Sequence, residues 1–330
     1  MSKKIFIILA VIASALLVVA TILNRKSQPR GQAESPSKQT ITIAQAGDFY
    51  LYAPLYIAAD EGLFASNGLS VTIVSTGGDD KTWAAVIAQS AQFGVADPTF
   101  IAIASQRGQP GKIISTIVNG VPFWGITKNA AIPMIKKPSE LASYTIATFP
   151  SPSTAYTLQR KMFELGGLPP KIREGAFGTL MALLETEQAD IALELEPNVS
   201  QAVANGYKIV YSLADVYGDF AMTGLTTTPE YIKTNPQTVA ATVKSIHEAL
   251  LFLHQSPEKA ADLLAKRFPD IKKEVAIAAL HRVLKAGIIP NSPVVVEDAW
   301  RKALQLRIDA GDVKPPTNIM DFVDNSFAIK

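Results

Sequence analysis

Short apolar runs alternate with amphipathic segments from Ile41 onward. β-branched runs such as LSVTIVS (69–75) and KIISTIVNG (112–120) are typical of strands. DDKTWAAVIAQSA (79–91) carries apolar residues at helical spacing instead. Because strands that alternate with helices favour parallel pairing, the pattern predicts an α/β fold.

The order of predicted strands and helices between residues 41 and 120 is repeated between residues 144 and 215. Asn67-Gly68-Leu69 corresponds to Gly166-Gly167-Leu168, and Asp97-Pro98 corresponds to Glu196-Pro197, in both cases 99 positions later. Chance similarity between two α/β runs is the alternative explanation. The shared spacing favours two α/β lobes, each with its strand-to-helix loops at the C-terminal edge of its sheet, where ligands bind in such folds.

Two extended runs connect the halves. FWGIT (123–127) leaves the first half, and FAMTGLTTTPEYI (220–232) leaves the second, so we expect two adjacent crossings that act as a hinge. Four amphipathic helices follow Pro229 and are expected to pack on the first lobe. The predicted lobe 1 is 41–126 plus 224–330, and the predicted lobe 2 is 127–223.

The N-terminus indicates a location outside the cytoplasm. Residues 5–23 carry no charge and follow MSKK. As a helix they would span roughly 28 Å, close to the thickness of a bilayer core. A cleaved signal peptide and an uncleaved membrane anchor both fit, and the alternatives stay open. Residues 24–40 are rich in polar residues, Pro, Gly and Ser, and predict a flexible linker.

The composition of the chain excludes several kinds of functional site. The chain has 330 residues, a net charge of +2 and no cysteine, which excludes disulfides, zinc thiolate sites and a cysteine nucleophile. Lys and Arg are scattered, unlike a nucleic-acid footprint. His247, His254 and His281 lack the H-E-x-x-H spacing, and GGDDKT lacks the spacing of a phosphate-binding loop. We therefore expect neither an enzyme nor a metal or cofactor site.

Hydroxyl groups gather where the first helix of the second half begins. Ser151, Ser153 and Thr154 lie in TFPSPSTAYTLQ, directly after a strand. The first turn of a helix has unpaired N–H groups and a partial positive charge, which suits an oxygen-rich or anionic ligand group. Simple N-capping is the alternative.

The matching loop of the first half is AGDFYLYAP (46–54), in which we expect Phe49 or Tyr50 to face a ligand. Further candidates end strands or begin helices. The remaining predicted ligand-binding residues are Asp48, Gly78, Asp79, Asp97, Asn119, Trp124, Glu194 and Glu196. These loops are acidic, with Lys81 as the nearby cation, so an anion and a nitrogen-bearing ring both remain open as ligands.

Several segments together resemble a known family. EGLFASNGLSVTIVSTGG, QFGVADP, SELASYTIATFPSPSTAYTLQRKMFELGGL and the ending MDFVDNSFA are similar to solute-binding proteins of ABC importers for nitrate, sulfonates, taurine and the pyrimidine precursor of thiamine. The resemblance runs from about Ile41 to the C-terminus. It implies a two-lobed periplasmic-binding-protein fold with the ligand cleft at a two-strand hinge.

The resemblance also implies a function. The expectation is a monomeric, extracytoplasmic carrier that closes two lobes on a small molecule and delivers it to an ABC permease. A membrane-anchored ligand sensor with the same fold is the alternative. A pyrimidine-synthesis enzyme on this fold is a weaker alternative, because those relatives rely on a cysteine-rich motif and this chain has no cysteine.

Overall fold

A computed structural model describes residues 38–151 and 153–328. These residues form two five-stranded sheets, in the orders β2-β1-β3-β10-β4 and β7-β6-β8-β5-β9. The strands are β1 (Gln39–Gln45), β2 (Leu69–Ser75), β3 (Phe93–Ala96), β4 (Lys112–Gly120), β5 (Trp124–Thr127), β6 (Ile146–Thr148), β7 (Ile172–Glu174), β8 (Ile191–Glu194), β9 (Lys208–Ser212) and β10 (Asp219–Thr227). The predicted α/β class is confirmed.

The two sheets share one topology. In the first sheet β1 is parallel to β2 and β3, and in the second sheet β6 is parallel to β7 and β8. The fourth strand of each sheet is antiparallel to both of its neighbours: β10 lies between β3 and β4, and β5 lies between β8 and β9. Gly68 and Gly167, equivalent in the sequence repeat, both adopt positive φ where a helix gives way to the next strand.

Helices cover the sheets. They are α1 (Ala53–Asp60), α2 (Leu63–Ser66), α3 (Asp79–Ile87), α4 (Thr99–Ser105), α5 (Thr154–Leu165), α6 (Leu180–Glu185), α7 (Asn198–Ala204), α8 (Leu213–Tyr217), α9 (Pro229–Thr234), α10 (Pro236–Gln255), α11 (Pro257–Arg267), α12 (Lys273–Lys285) and α13 (Glu297–Asp309). Asp79 and Asp80 begin α3, where acidic side chains complement the positive end of the helix dipole. Buried β-branched residues fill the strands between the helices, for example Ile191 and Val95.

The two crossings between the sheets run side by side. Gly120 at the end of β4 pairs with Asp219 at the start of β10, and the Leu213 N–H donates to the Phe123 carbonyl oxygen over 2.9 Å. The boundaries predicted at 126/127 and 223/224 cut through β5 and β10. In the structure all of β5 belongs to the second sheet and all of β10 to the first, because each is hydrogen-bonded to neighbours on both sides there.

The C-terminal helices reach further than predicted. α10 and α11 pack on α1, and α13 packs on β10, all on the first-sheet side as expected. Helix α12 packs on α11 and also on α7 of the second half, where the Arg282 Nε donates to the Glu196 carboxylate over 2.6 Å. Helix α12 therefore contacts both halves, whereas the sequence predicted packing on the first lobe alone.

The predicted N-terminal helix (5–23) and most of the linker lie outside the described residues. From Gln39 onward the chain forms one compact unit. Across residues 38–151 and 153–328, no helix combines the length and apolar character that crossing a bilayer requires.

Candidate functional site

A cavity of about 610 Å³ lies among the loops that follow the parallel strands of both sheets. Its size is within the range of small-molecule sites in proteins. The lining residues are Phe49, Leu51, Tyr52, Gly78, Asp79, Asp80, Asp97, Phe100, Pro122, Phe123, Phe149, Pro150, Ser153, Thr154, Ala155, Phe177, Leu195, Met222, Thr223 and Arg307. Each half therefore contributes the C-terminal edge of its sheet, as the sequence repeat indicated.

Six of the predicted ligand-binding residues line this cavity. They are Phe49, Gly78, Asp79, Asp97, Ser153 and Thr154. They come from four different strand-to-helix loops, which the fold brings to one place because the carboxyl ends of parallel strands meet at one edge of a sheet.

Three other predicted residues lie in a neighbouring cavity of about 310 Å³, which also touches Phe49, Phe177 and Leu195. These three are Asp48, Tyr50 and Glu196. The Asp48 carboxylate accepts from Gln45 and Ser75, and the Tyr50 hydroxyl donates to the Ala276 carbonyl oxygen over 2.5 Å. The Glu196 carboxylate accepts from Ser200 as well as from Arg282, so it holds α7 and α12 together.

The remaining four predicted residues stand apart from the main cavity. Asn119 is buried in β4, and its N–H donates to the Ile288 carbonyl oxygen. Trp124 lies in a separate crevice beside Arg282. Ser151 is exposed, and its N–H donates to the Glu174 carboxylate.

Glu194, the fourth, is completely buried at the end of β8. One carboxylate oxygen accepts from the Asn198 side chain and the Leu195 N–H. Burial raises the pKa of Glu194 to about 7, and the hydrogen bond from Asn198 opposes part of that rise.

A buried polar cluster joins three elements at the floor of the cavity. The Asp97 Oδ2 accepts from the Thr154 hydroxyl over 2.8 Å and from the Arg307 Nη2 over 3.0 Å. The Asp97 Oδ1 accepts from the N–H and the hydroxyl of Thr99, the first residue of α4. The Arg307 Nη2 also donates to Thr154 over 3.1 Å. The cluster thus connects the first sheet, the start of α5 and helix α13.

Asp79 adds a second carboxylate next to this cluster. One of its oxygens accepts from the Asp97 N–H over 2.9 Å. Burial, followed by the charge of Asp97, raises the pKa of Asp79 to about 6. Asp79 therefore takes up a proton more readily than an exposed aspartate would.

The hydroxyls at the start of α5 already have partners. The Ser153 Oγ accepts from the Tyr156 N–H over 3.2 Å, which is an N-cap. The Thr154 hydroxyl is engaged with Asp97 and Arg307. Both residues line the cavity, but their first role is to hold the helix start in place.

Sequence reasoning missed Arg307. It lies 210 residues from Asp97, on a helix that the sequence placed only as lobe packing. Trp300, Ala303, Leu304 and Arg307 form one buried stripe on α13. The sequence does show an arginine on the apolar stripe of this helix. Because fully buried arginines are rare unless they are paired, that position could have indicated a buried acidic partner.

Aromatic rings form a continuous arc along the cavity wall. Neighbouring ring centroids are 5.5 Å apart for Tyr52 and Phe49, 5.6 Å for Phe49 and Phe177, 5.8 Å for Phe177 and Phe149, and 6.1 Å for Phe149 and Phe123. Phe49 is among the residues that the sequence predicted as ligand contacts. The arc gives the cavity flat apolar walls above a polar floor.

The described residues contain no group of three or more His, Asp or Glu side chains that could hold a metal ion. What the site offers is a mostly apolar chamber with carboxylates, hydroxyls and one paired arginine at one end. Such a chamber suits reversible binding of a small molecule.

The chain has two sheets joined by adjacent crossings, with a cavity between their C-terminal edges. This is the two-sheet fold of periplasmic binding proteins. The sulphonate-binding protein SsuA of Escherichia coli has the same fold, with a TM-score of 0.70 at 15% identity over 87% of this chain and 97% of that one. Residues 51–260 match the family described as NMT1/THI5 like, and the chain belongs to that family.

Two further similarities extend over most of the chain. YtlA of Bacillus subtilis strain 168 is 20% identical over 305 residues, which cover 88% of this chain and 89% of that protein. The ligand-binding component of an ABC-type import system from Staphylococcus aureus has a TM-score of 0.69 at 14% identity, over 88% of this chain and 98% of that one.

Proposed function

We propose that this chain is the extracytoplasmic solute-binding component of an ABC importer. It captures a small molecule in the cavity between the two sheets and presents the closed form to a membrane permease. The observation that carries the proposal is that the carboxyl edges of both sheets contribute to one cavity of about 610 Å³. The family and the fold neighbours support it, since two of the neighbours are named as binding components of import systems or as periplasmic binding proteins.

The ligand we favour is a flat ring that carries hydrogen-bond donors, of the pyrimidine type, over a compact anion of the sulfonate, nitrate or taurine type. A nitrate ion or a small sulfonate would fill only a small part of this volume. Carboxylates also outnumber cations in the lining, with Asp79, Asp80 and Asp97 against Arg307. Since Arg307 already pairs with Asp97, an anion would meet more repulsion than attraction there.

The role of a carrier also requires that the ligand leaves unchanged. We propose binding without catalysis, by a monomer, with no cofactor. Closure follows from differential affinity: a ligand that contacts both halves binds the closed form more tightly and shifts the population toward it.

A thermal-shift screen of the purified chain tests the proposal, with sulfonates, taurine, nitrate, pyrimidines and thiamine as the panel. A ligand at 100 times its Kd adds about 2.7 kcal/mol to the free energy of unfolding. The expected hit binds one to one by calorimetry and is recovered intact after incubation. A panel without any hit, or a hit that the protein consumes, would contradict a carrier function.

Alanine variants at the start of α5 then test the site. Ser153→Ala and Thr154→Ala should each weaken binding of the hit, while Thr157→Ala, on the same helix but outside the lining, should not. Because Ser153 caps α5, its removal also costs about 1 kcal/mol of stability. Affinity therefore has to be measured well below the melting temperature of each variant. Equal affinities in all three variants would show that the start of α5 does not contact the ligand.

A further inference from the structure

The aromatic arc crosses from one half of the molecule to the other at a single contact. Tyr52 and Phe49 follow β1 of the first sheet, whereas Phe149 and Phe177 follow β6 and β7 of the second. The rings of Phe49 and Phe177 meet edge to face, with their centroids 5.6 Å apart. Phe177 also stacks on Phe149, with 28° between the ring planes. It is therefore the link that makes the arc continuous across the halves.

Phe177 differs from its neighbours in how much of its ring is uncovered. Its exposed fraction is 56%, against 8% for Phe149 and 4% for Phe123. Eight large apolar side chains of the described residues are exposed, and Phe177 is the one among them that lines the cavity. Single exposed apolar residues are common on protein surfaces, so exposure alone does not indicate a binding role for Phe177. Its position in the cavity lining does.

Phe177 and Phe49 also separate two cavities. Both rings line the main cavity of about 610 Å³ and the neighbouring one of about 310 Å³. Phe177 lies between Gly175 and Gly178, and Gly178 has a φ of 81°, a conformation that glycine adopts without strain. The ring is thus carried by a short glycine-bounded loop at the boundary of the ligand chamber.

From these contacts we infer that Phe177 is a specificity-determining residue, whose uncovered face stacks on the flat ring of the ligand and so favours aromatic over saturated solutes. The inference rests on the proposed function, because it assumes that the main cavity holds the ligand. Phe149 and Phe123 have little uncovered surface, whereas Phe177 still has ring surface on which a ligand ring can pack. Stacked aromatic pairs gain energy beyond the area that they bury.

A pair of probes that differ only in the flatness of the ring tests the inference. Benzylamine and cyclohexylmethylamine carry the same charge and nearly the same bulk. We expect the full chain to bind benzylamine about tenfold more tightly, which corresponds to the upper range of one aromatic pair. Phe177→Leu keeps an apolar side chain but removes the flat face, and should bring the two dissociation constants within about twofold. Phe177→Trp should keep the preference.

Leu165→Ala is the matched control, because Leu165 is 58% exposed and lies outside the cavity lining. It should leave both dissociation constants unchanged, and the melting temperatures of the unliganded variants should stay close to that of the parent. A wild-type chain without preference for benzylamine, a preference that persists in Phe177→Leu, or no binding of either amine would each overturn the role of Phe177.

The inference and the proposed function fail differently. A chain that binds a sulfonate or nitrate in the thermal-shift screen but shows no preference for benzylamine is still a solute-binding protein, and only the role of Phe177 is lost. If the chain binds benzylamine with the expected preference but binds no solute of the panel, the role of Phe177 stands. The proposed import of those solutes is then lost.

Discussion

At the residue level, the polar floor depends on a single buried cation. Arg307 is 3% exposed and contacts Asp97, Thr99 and Thr154, and its guanidinium also lies 5.2 Å from the centroid of the Phe100 ring. Burial is the largest single effect and works against its charge, but the Asp97, Asp312 and Asp79 carboxylates together outweigh it, and the pKa of Arg307 is raised. The guanidinium therefore stays charged across the physiological range.

Removing this cation should destabilise the fold. Arg307→Met leaves the Asp97 carboxylate buried without its partner, and we expect a loss of about 3–5 kcal/mol in urea unfolding. Arg301→Met, on the same helix but half exposed, should cost less than about 1 kcal/mol. The double variant Asp97→Asn/Arg307→Met should recover part of the loss, since the Asp97 charge is then removed together with its partner. Equal losses in Arg301→Met and Arg307→Met would contradict this view of the cluster.

Glu194 predicts a pH dependence. Its Oε1 has no hydrogen-bond partner among the described residues, and its pKa is raised to about 7. In the unfolded chain the carboxyl titrates near its ordinary pKa of about 4.3. Below that value both states hold the proton. As pH rises through 7, the folded state must ionise a buried carboxyl, so the stability that Glu194 contributes at low pH is lost.

Glu194→Gln keeps the shape and removes the titration. We expect the free energy of unfolding of the wild type to fall by on the order of 2–3 kcal/mol relative to that of the variant between pH 5 and pH 8. Urea unfolding at both pH values measures the difference. A difference between the two proteins that does not change with pH would show that the folded carboxyl titrates normally.

At the level of elements, each sheet contains one internal strand, β10 or β5, that is antiparallel to both of its neighbours. β5 accepts hydrogen-bonded neighbours on both sides, and Gly125 makes room there for the Tyr211 ring of β9. A Cβ at position 125 would lie 2.1 Å from that ring. The Tyr211 hydroxyl in turn donates to the Gln159 side chain of α5, so this close approach also positions the helix that begins at the cavity.

Gly125→Ala should therefore destabilise the second sheet. The added methyl group has to displace a buried ring, which costs about 1–3 kcal/mol in typical overpacked cores. Chemical unfolding of the variant measures the loss. A compensating change, Gly125→Ala with Tyr211→Leu, should be less destabilised than the sum of the two single variants. Additive losses would indicate that the methyl group and the ring do not compete for the same space.

At the level of the whole molecule, closure is a change in distance between two halves. The chain has no cysteine, so labels can be attached at two introduced cysteines alone. Leu165 on α5 and Leu251 on α10 are both exposed and lie on opposite halves. Energy transfer between labels in Leu165→Cys/Leu251→Cys should increase when the hit of the solute screen is added.

A label pair within one half provides the reference. Val74 on β2 and Leu251 on α10 are both exposed on the first-sheet side, and their distance should stay constant with and without ligand. If the labels at 165 and 251 also keep their distance at saturating ligand, the protein binds without closing.

Much of the fold was predictable because its strands and helices follow from local sequence patterns. β2 and β4 coincide with the runs LSVTIVS and KIISTIVNG, and the helices after Pro229 coincide with their apolar stripes. The candidate site was predictable only in part. Ser153, Thr154, Asp79 and Asp97 were found because they begin helices just after strands, and that position is local. Tyr50 and Glu196 satisfy the same rule, but they turn toward other partners, which local spacing does not reveal.

The sequence by itself determined the α/β class, the doubled unit and the loops that gather at the carboxyl edges of the sheets, because periodicity and turn residues act over a few positions. Tertiary structure alone decided that all of β5 joins the second sheet and all of β10 the first, that Arg307 reaches Asp97 across 210 residues, and that Phe177 meets Phe49. Those contacts depend on how distant elements pack, and buried charge and ring geometry are fixed only when the whole chain has folded.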